Sequence, residues 1–320
     1  MKIGIVGCGA LGSFYGAKLW STGQETHFLL RSDYDAVRRN GVLIRSPGGE
    51  LHATPRCARQ PEEIGVCDAV FIGLKTTANR ELPRLLGPLT GPQTMVVTLQ
   101  NGLGNEEQLA RFIPPAQILG GLCFVCLNRI APGVILHTAH GKVVLGEFQR
   151  PSQPRTHALA ALFRQAGISC DVTEDLARTH WEKLVWNIPF NGLGVAGAAG
   201  YDALIDGRLP VFVTGGVLPT EVLLADPRWE KLARELMLEV IATANALGLK
   251  ISETLADKQI ERTRNMGAYK ASTLIDFERR QPLELDSMFR EPLRQAQKAG
   301  VPTPRLAALC RVLTALDPRP

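Results

Sequence analysis

The chain has 320 residues, 45% hydrophobic and 21% charged, which is the balance of a globular protein with room for two domains. Its formal net charge of +5 is spread without a long Lys/Arg run, so nucleic acid is not implied, although an anionic cofactor and substrate would be favoured. No apolar run reaches membrane-spanning length and the opening strand is too short for a signal peptide, so the expectation is a cytoplasmic protein with no membrane partner.

Lys2 to Val6 is a short apolar, β-branched run that reads as a buried strand, and Ala10 to Trp20 then shows helical spacing with small residues at Ala10, Gly12, Gly16 and Ala17. Between them lies Gly7-Cys8-Gly9-Ala10-Leu11-Gly12. The first glycine allows a tight turn, the second lets backbone approach a pyrophosphate, and the third lets helix and strand pack closely. The helix N-terminus adds free N–H groups and partial positive charge, so this loop is expected to cradle a dinucleotide. Thr26 to Leu30 reads as the second strand. NAD-preferring folds place an acid at its end to accept from the ribose 2′-OH, whereas this chain has Arg31-Ser32. Arg31 suits a 2′-phosphate and Ser32 can donate to it, so NADP(H) is expected, the plain alternative being a solvated arginine.

Asp33 to Asn40 reads as a short helix stopped by Asn40-Gly41, and Gly41 to Thr54 as two strands around the turn signal Ser46-Pro-Gly-Gly49. Asp68 to Leu74 reads as a buried parallel strand ending in Lys75, and Met95 to Leu99 as another followed by Gln100-Asn101-Gly102. Carboxyl ends of strands face the ligand crevice of a doubly wound sheet, which brings Lys75 and Asn101 to the site. Asn101 offers both a donor and an acceptor.

Ile118 to Leu127, Gly133 to Thr138 and Lys142 to Gly146 read as strands, Arg155 to Ala166 as a helix and Ile168 to Val172 as a last strand. Cys123 and Cys126 have C-x-x-C spacing, but strand alternation sends them to opposite faces. With seven scattered cysteines they read as buried, reduced thiols rather than a metal or redox pair, and no metal is expected. The first domain thus spans residues 1–172, an α/β unit with an N-terminal Rossmann-type doubly wound sheet.

Residues 173–320 change to long helical patterns, with Pro227 to Leu247, Ser252 to Arg264 and Met288 to Gly300 carrying apolar residues at three- and four-residue spacings. This reads as an all-helical, substrate-binding domain, a small substrate lying in the crevice between it and the first domain. Its long apolar faces, Leu236 to Leu247 among them, also suggest a homodimer. Lys183, Asn187 and Asn191 recur every four residues in Trp181 to Asn191, so one helix face carries an ammonium and two carboxamides, with Pro189 expected to kink the helix. A second polar cluster lies at Lys270 to Asp276 and Pro282 to Asp286; spacing alone leaves Glu284 solvent-exposed.

Taken together, Gly7-x-Gly9-x-x-Gly12 with Arg31, Gly73-Leu-Lys75, Gln100-Asn101-Gly102, Trp181-x-Lys183 to Asn191, Lys270-x-Ser272-x-x-x-Asp276 and Leu283-Glu284-Leu-Asp286 resemble the ketopantoate reductase (2-dehydropantoate 2-reductase) family, in the family's order and over nearly the whole chain. The resemblance implies an NADPH-dependent oxidoreductase that converts ketopantoate to pantoate on the route to pantothenate and coenzyme A. It implies Lys183 as proton donor, with Glu284 assisting it and meeting the cofactor. It also implies Asn187, Asn191 and Ser272 with Lys183 at the substrate, and Lys75 and Asn101 at the cofactor. Hydride addition to a ketone leaves charge on oxygen, so a positioned acid is chemically required. Two departures point toward another small 2-keto acid: Ser287-Met-Phe-Arg290-Glu-Pro where the family commonly has Asn-Gly, and a long Gly200 to Pro219 connection. A non-catalytic NADPH sensor is the reading from another class, and it would not need Lys183.

Overall fold

The computed structural model describes residues 1–207 and 215–318, in two compact units. The first comprises Met1–Asn101 and Asn105–Leu176, the second Gly102–Gly104 and Ala177–Pro320.

The first unit is built on ten strands: β1 (Lys2–Val6), β2 (Glu25–Leu29), β3 (Val42–Ser46), β4 (Gly49–Ala53), β5 (Arg56–Ala58), β6 (Ala69–Ile72), β7 (Met95–Thr98), β8 (Ile118–Ala131), β9 (Val134–Glu147) and β10 (Cys170–Val172). They form one sheet in the order β4-β3-β9-β8-β7-β6-β1-β2-β5, with β10 added on β9. From β5 to β8 every pairing is parallel, and its register aligns Val6 with Leu29 and with Ile72, and Ile72 with Thr98. The segments that follow β1, β2, β6 and β7 therefore leave the sheet along one edge, the edge where open α/β sheets bind ligands.

Alternation decides the two faces of this sheet. Ile3, Ile5, Phe71 and Val97 pack on one side with Phe14 and Tyr15 of α1 (Ala10–Trp20) and Phe163. Val6, Val70, Ile72 and Val96 pack on the other with Leu82, Leu86 and Leu109. Three of the remaining four helices of the unit carry those residues: α2 (Tyr34–Asn40) follows β2, α3 (Leu82–Leu86) and α4 (Asn105–Leu109) cover the second face, and α5 (Pro154–Gln165) supplies Phe163 to the first. Both faces are covered, so the strands can be near-continuously apolar, as a doubly wound Rossmann-type sheet requires. The sheet ends in two short strands. β5 has three residues after Pro55, and β4 carries Glu50, paired with Arg45, and His52, bonded to the Asn40 carbonyl.

The three strands expected between Ile118 and Gly146 are two, each of 14 residues. The expected break before Lys142 is a bulge: His140 has φ 63° and Gly141 φ 130°, and Val125 pairs with His140 while Phe124 pairs with Lys142. The extra residue keeps the strand paired while bending it. On the facing strand, Cys123 and Cys126 are both buried. No disulfide joins any of the seven cysteines.

The second unit is helical: α6 (Leu176–Ala196), α7 (Tyr201–Ile205), α8 (Thr220–Ala225), α9 (Pro227–Ala246), α10 (Thr254–Arg264), α11 (Ser272–Glu278), α12 (Glu291–Lys298) and α13 (Pro304–Leu316). Its core joins Leu184, Val185 and Ile188 of α6 to Leu236, Met237, Val240 and Ile241 of α9 and Leu309 and Leu313 of α13. The buried residues of α9 pack inside this unit, while Leu247 just past its end is 43% exposed. Pro189 lies within α6, whose residues 176–196 are helical throughout. The expected helix from Met288 to Gly300 is instead a π-turn over Asp286–Arg290 followed by α12. Pro292 explains the break, because it has no N–H to give to Met288 and its ring crowds that carbonyl. The expectation for Gly200 to Pro219 falls partly on residues 208–214, outside the described residues. Among the described residues no helix is long and apolar enough to cross a membrane, and no group of three or more His, Cys, Asp or Glu could hold a metal.

Candidate active site

The Gly7–Gly12 turn separates packing from binding. A Cβ on Gly7, whose φ is 92°, would stand 2.3 Å from the Leu74 amide nitrogen, and one on Gly12 would stand 2.2 Å from the Gly7 carbonyl oxygen. Gly73, just past β6, closes the same knot, since its Cβ would lie 2.9 Å from Gly12 N. Gly9 differs: a Cβ there would meet nothing within 4 Å. Among the described residues nothing fills the space beside that backbone, which leaves it open to approach. Gly9 is also the N-cap of α1, whose first turn carries neither a capping side chain nor an acid. Exposed backbone, open N–H groups and no competing carboxylate fit a pyrophosphate. Beside it Ala10 and Leu11 are half-buried. Cys8 donates to the Ile5 carbonyl, and burial, with Cys57 and Asp33 adding to it, pushes its thiol up, so it stays neutral beside an anion.

Arg31 follows β2 at the same sheet edge. It is exposed, and its side chain has no hydrogen bond or ion pair among the described residues. Ser32 is differently engaged from the sequence reading, because its hydroxyl donates to Asp33 Oδ1 at 3.0 Å and has no second proton to offer. Asp33 is 5% exposed and also accepts from Arg129 Nη1 at 2.6 Å and from Gly133 N at 3.3 Å.

Lys75 and Asn101 follow the neighbouring strands β6 and β7. Lys75 is exposed and leads into a 3-10 turn over Thr76–Glu81, and Asn101 is half-buried where the chain leaves the first unit. What holds these two segments is a set of amides that sequence reasoning missed. Buried Gln100 donates through Nε2 to the Leu74 carbonyl at 3.0 Å and to Asn79 Oδ1 at 2.7 Å, and Thr98 donates to its Oε1 at 3.1 Å. Asn79 in turn donates to Asn105 and Gln108, and Asn105 Nδ2 donates to the Asn101 carbonyl. Each partner lies 21 to 29 residues away along the sequence in the links through Asn79, so no local pattern announces them.

In the helical unit, α6 presents Lys183, Asn187 and Asn191 on one face, one turn apart. Lys183 is half-buried and Asn187 and Asn191 are 7% and 2% exposed. Asn191 Oδ1 accepts from Thr273 N at 3.1 Å and Ser272 Oγ at 3.4 Å, capping α11 from across the core. Asn191 and Ser272 are therefore in contact. Asn187 has no side-chain hydrogen bond among the described residues, although its carboxamide carries two donors and an acceptor. Its polar atoms are therefore open to solvent or to a ligand. Aromatic packing steadies the helix, with Trp186 donating to Thr263 Oγ1 at 2.9 Å and stacking 5.1 Å from Phe190. Glu284 is half-buried between Leu283 and Leu285, which are 0% and 2% exposed, so it is less open than spacing alone suggested. Beyond it the π-turn sends Met288 and Phe289 into the core and ties Arg290 to Asp286 at 2.9 Å and Thr314 at 3.0 Å.

The family model described as Ketopantoate reductase PanE/ApbA matches residues 3–150, and its C-terminal counterpart matches residues 212–317. A 2-dehydropantoate 2-reductase of Nostoc sp. is 38% identical over 99% of this chain and 96% of its own length. Among solved structures, 2-dehydropantoate 2-reductase from Geobacter metallireducens superposes with a TM-score of 0.89 at 44% identity, covering 98% of this chain and 99% of that one. The enzyme from Methylococcus capsulatus follows with a TM-score of 0.86 at 32% identity, covering 99% and 96%.

Proposed function

This chain belongs to the ketopantoate reductase family, and we propose that it reduces 2-dehydropantoate (ketopantoate) to pantoate with NADPH, using Lys183 as the proton donor. In this reading NADPH supplies a hydride to the ketone carbon. The Gly7–Gly12 turn and the N-terminus of α1 hold its pyrophosphate, with Cys8, Ala10 and Leu11 forming the turn between the glycines. Arg31 takes the 2′-phosphate, and Lys75 and Asn101 contact the rest of the cofactor. Asn187, Asn191 Nδ2 and Ser272 orient the keto acid, whose carboxylate is drawn by the Lys183 ammonium. As the carbonyl carbon gains the hydride, its oxygen takes the proton from Lys183 Nζ, which leaves a neutral amine and a 2-hydroxy acid. Glu284, in the same unit, assists the return of a proton to that amine and meets the cofactor. A cytoplasmic location suits seven cysteines with no disulfide among them.

The open Asn187 carboxamide, one helical turn from Lys183, carries this reading within the molecule. The departure at Ser287 to Pro292 points to a second 2-keto acid, but Ser287, Met288, Phe289 and Pro292 are buried, Arg290 is tied to Asp286 and Thr314, and Glu291 is held by Gln295 and Arg294. That favours ketopantoate. The experiment is a panel of small 2-keto acids with NADPH, followed by loss of nicotinamide absorbance. Ketopantoate is expected to give the highest kcat/KM, and turnover confined to other members of the panel would remove the named substrate.

A further inference from the structure

The segment after β2 holds an acid as well as a base, in Leu30-Arg31-Ser32-Asp33. An acid near this strand end is the group that accepts from a ribose 2′-OH and opposes a phosphate in its place. In this protein that acid is turned aside. Its Oδ1 receives Arg129 and Ser32, its Oδ2 receives the amide of Gly133, and it is 5% exposed. Burial pushes the Asp33 carboxyl up, but the bonds from Arg129 and Ser32 outweigh that and hold it below its ordinary value, so it is ionised whenever the protein is folded near neutrality.

The counter-charge comes from far along the chain. Arg129 stands near the end of β8, 96 residues from Asp33, and Gly133 lies in the turn to β9 with φ 70°. The hairpin tip is itself anchored, because Leu43 N donates to the Gly133 carbonyl and β3 pairs with β9 from Leu43 to Arg45. A Cβ on Gly133 would stand 3.0 Å from the Gly41 carbonyl oxygen, so the approach depends on glycine. Only one of the five N–H groups of Arg129 is engaged by Asp33, and the arginine is 44% exposed.

We propose that Arg129 and the β8–β9 turn are positioning elements for cofactor choice: they sequester Asp33 so that Arg31 alone meets the ribose 2′ position. The proposal rests on Arg31 as the contact to the 2′-phosphate. Without Arg129, the Asp33 carboxylate is left two residues from Arg31 with no neutralising partner. It then either pairs with Arg31, removing the phosphate's ligand, or accepts from a 2′-hydroxyl. The first weakens NADPH and the second strengthens NADH.

The test is calorimetric binding of NADPH, NADH and adenosine 2′,5′-bisphosphate to the full chain and to Arg129→Met, Arg129→Lys, Asp33→Asn, the double variant Arg129→Met with Asp33→Asn, and Arg31→Ala, with Tm recorded for each. Arg129→Met is expected to weaken NADPH and the bisphosphate by roughly tenfold while NADH holds or tightens. Arg129→Lys should recover part of the loss, and removing the Asp33 charge in the double variant should recover most of it. Equal losses for NADPH and NADH in Arg129→Met, or no recovery in the double variant, would overturn the proposal and leave the pair a fastening for the hairpin. Should Arg129→Met fail to fold, Asp33→Asn and the double variant decide the matter: both are expected to keep the NADPH preference, and loss of it in either overturns the proposal. Equal weakening of NADPH and NADH in Arg31→Ala would instead sink the reading of Arg31.

Discussion

The Gly7–Gly12 turn and the α6 face are made of different material. At Gly7, Gly12 and Gly73 the backbone itself is the structure, and side chains are excluded by atoms 2.2 to 2.9 Å away. Along α6 the backbone is ordinary helix, and everything specific is carried by the side chains of Lys183, Asn187 and Asn191 with Ser272 supplied by α11. A site built from backbone is confined to one short stretch and fails by steric collision. A site built from side chains draws on segments about 80 residues apart in the sequence and fails by losing one contact at a time.

That contrast can be sharpened by substitution. The largest effect is expected at Lys183, where Lys183→Ala should lower kcat by roughly a hundredfold or more while the calorimetric affinity for NADPH is unchanged. Near-normal turnover would dismiss the lysine as proton donor. Next come the glycines. Gly12→Ala forces a methyl group against the Gly7 carbonyl, and overpacking of this kind costs about 1–3 kcal/mol, seen as a lower Tm together with weakened cofactor. Gly9→Ala has room in the protein and a φ of −75° that alanine accepts, so Tm should hold or rise slightly while NADPH affinity falls. If both variants changed Tm alike, the division between packing glycines and the binding glycine would be wrong.

Smaller effects separate the two asparagines. Asn191→Ala strands the Thr273 amide and is expected to cost about 1–3 kcal/mol of stability along with substrate affinity. Asn187→Ala breaks no side-chain hydrogen bond among the described residues, so denaturation should be nearly unaffected while KM for the keto acid rises by roughly tenfold. An unchanged KM in Asn187→Ala would mean that the open carboxamide has no part in binding.

The same difference explains what could be read without coordinates. The turn at Gly7 to Gly12, the existence of the buried strands and the strand-end positions of Arg31, Lys75 and Asn101 follow from local spacing, because backbone constraints repeat in neighbouring residues; the order of the strands in the sheet does not. The stripe on α6 was visible for the same reason, through its four-residue period. Ser272 and Glu284 were reached only through family resemblance, since nothing beside them in the chain marks them. Asp33 passed unnoticed because its partner is 96 residues distant, and the Gln100, Asn79 and Asn105 amides because their bonds cross between loops. The engagement of Ser32 depends on the orientation of Asp33, which the sequence does not carry. Two signals are local: Pro292, which turns the expected helix into a π-turn, and His140-Gly141, which makes a bulge in place of a break.

The margins of the ten-stranded sheet bear on how folded copies meet one another. A second molecule seeking to extend the sheet would meet three-residue strands at β5 and β10, and at β4 five residues that carry Glu50 and His52. Short strands and charged side chains of this kind discourage strand addition, so a folded copy is a poor template for edge-to-edge pairing with another.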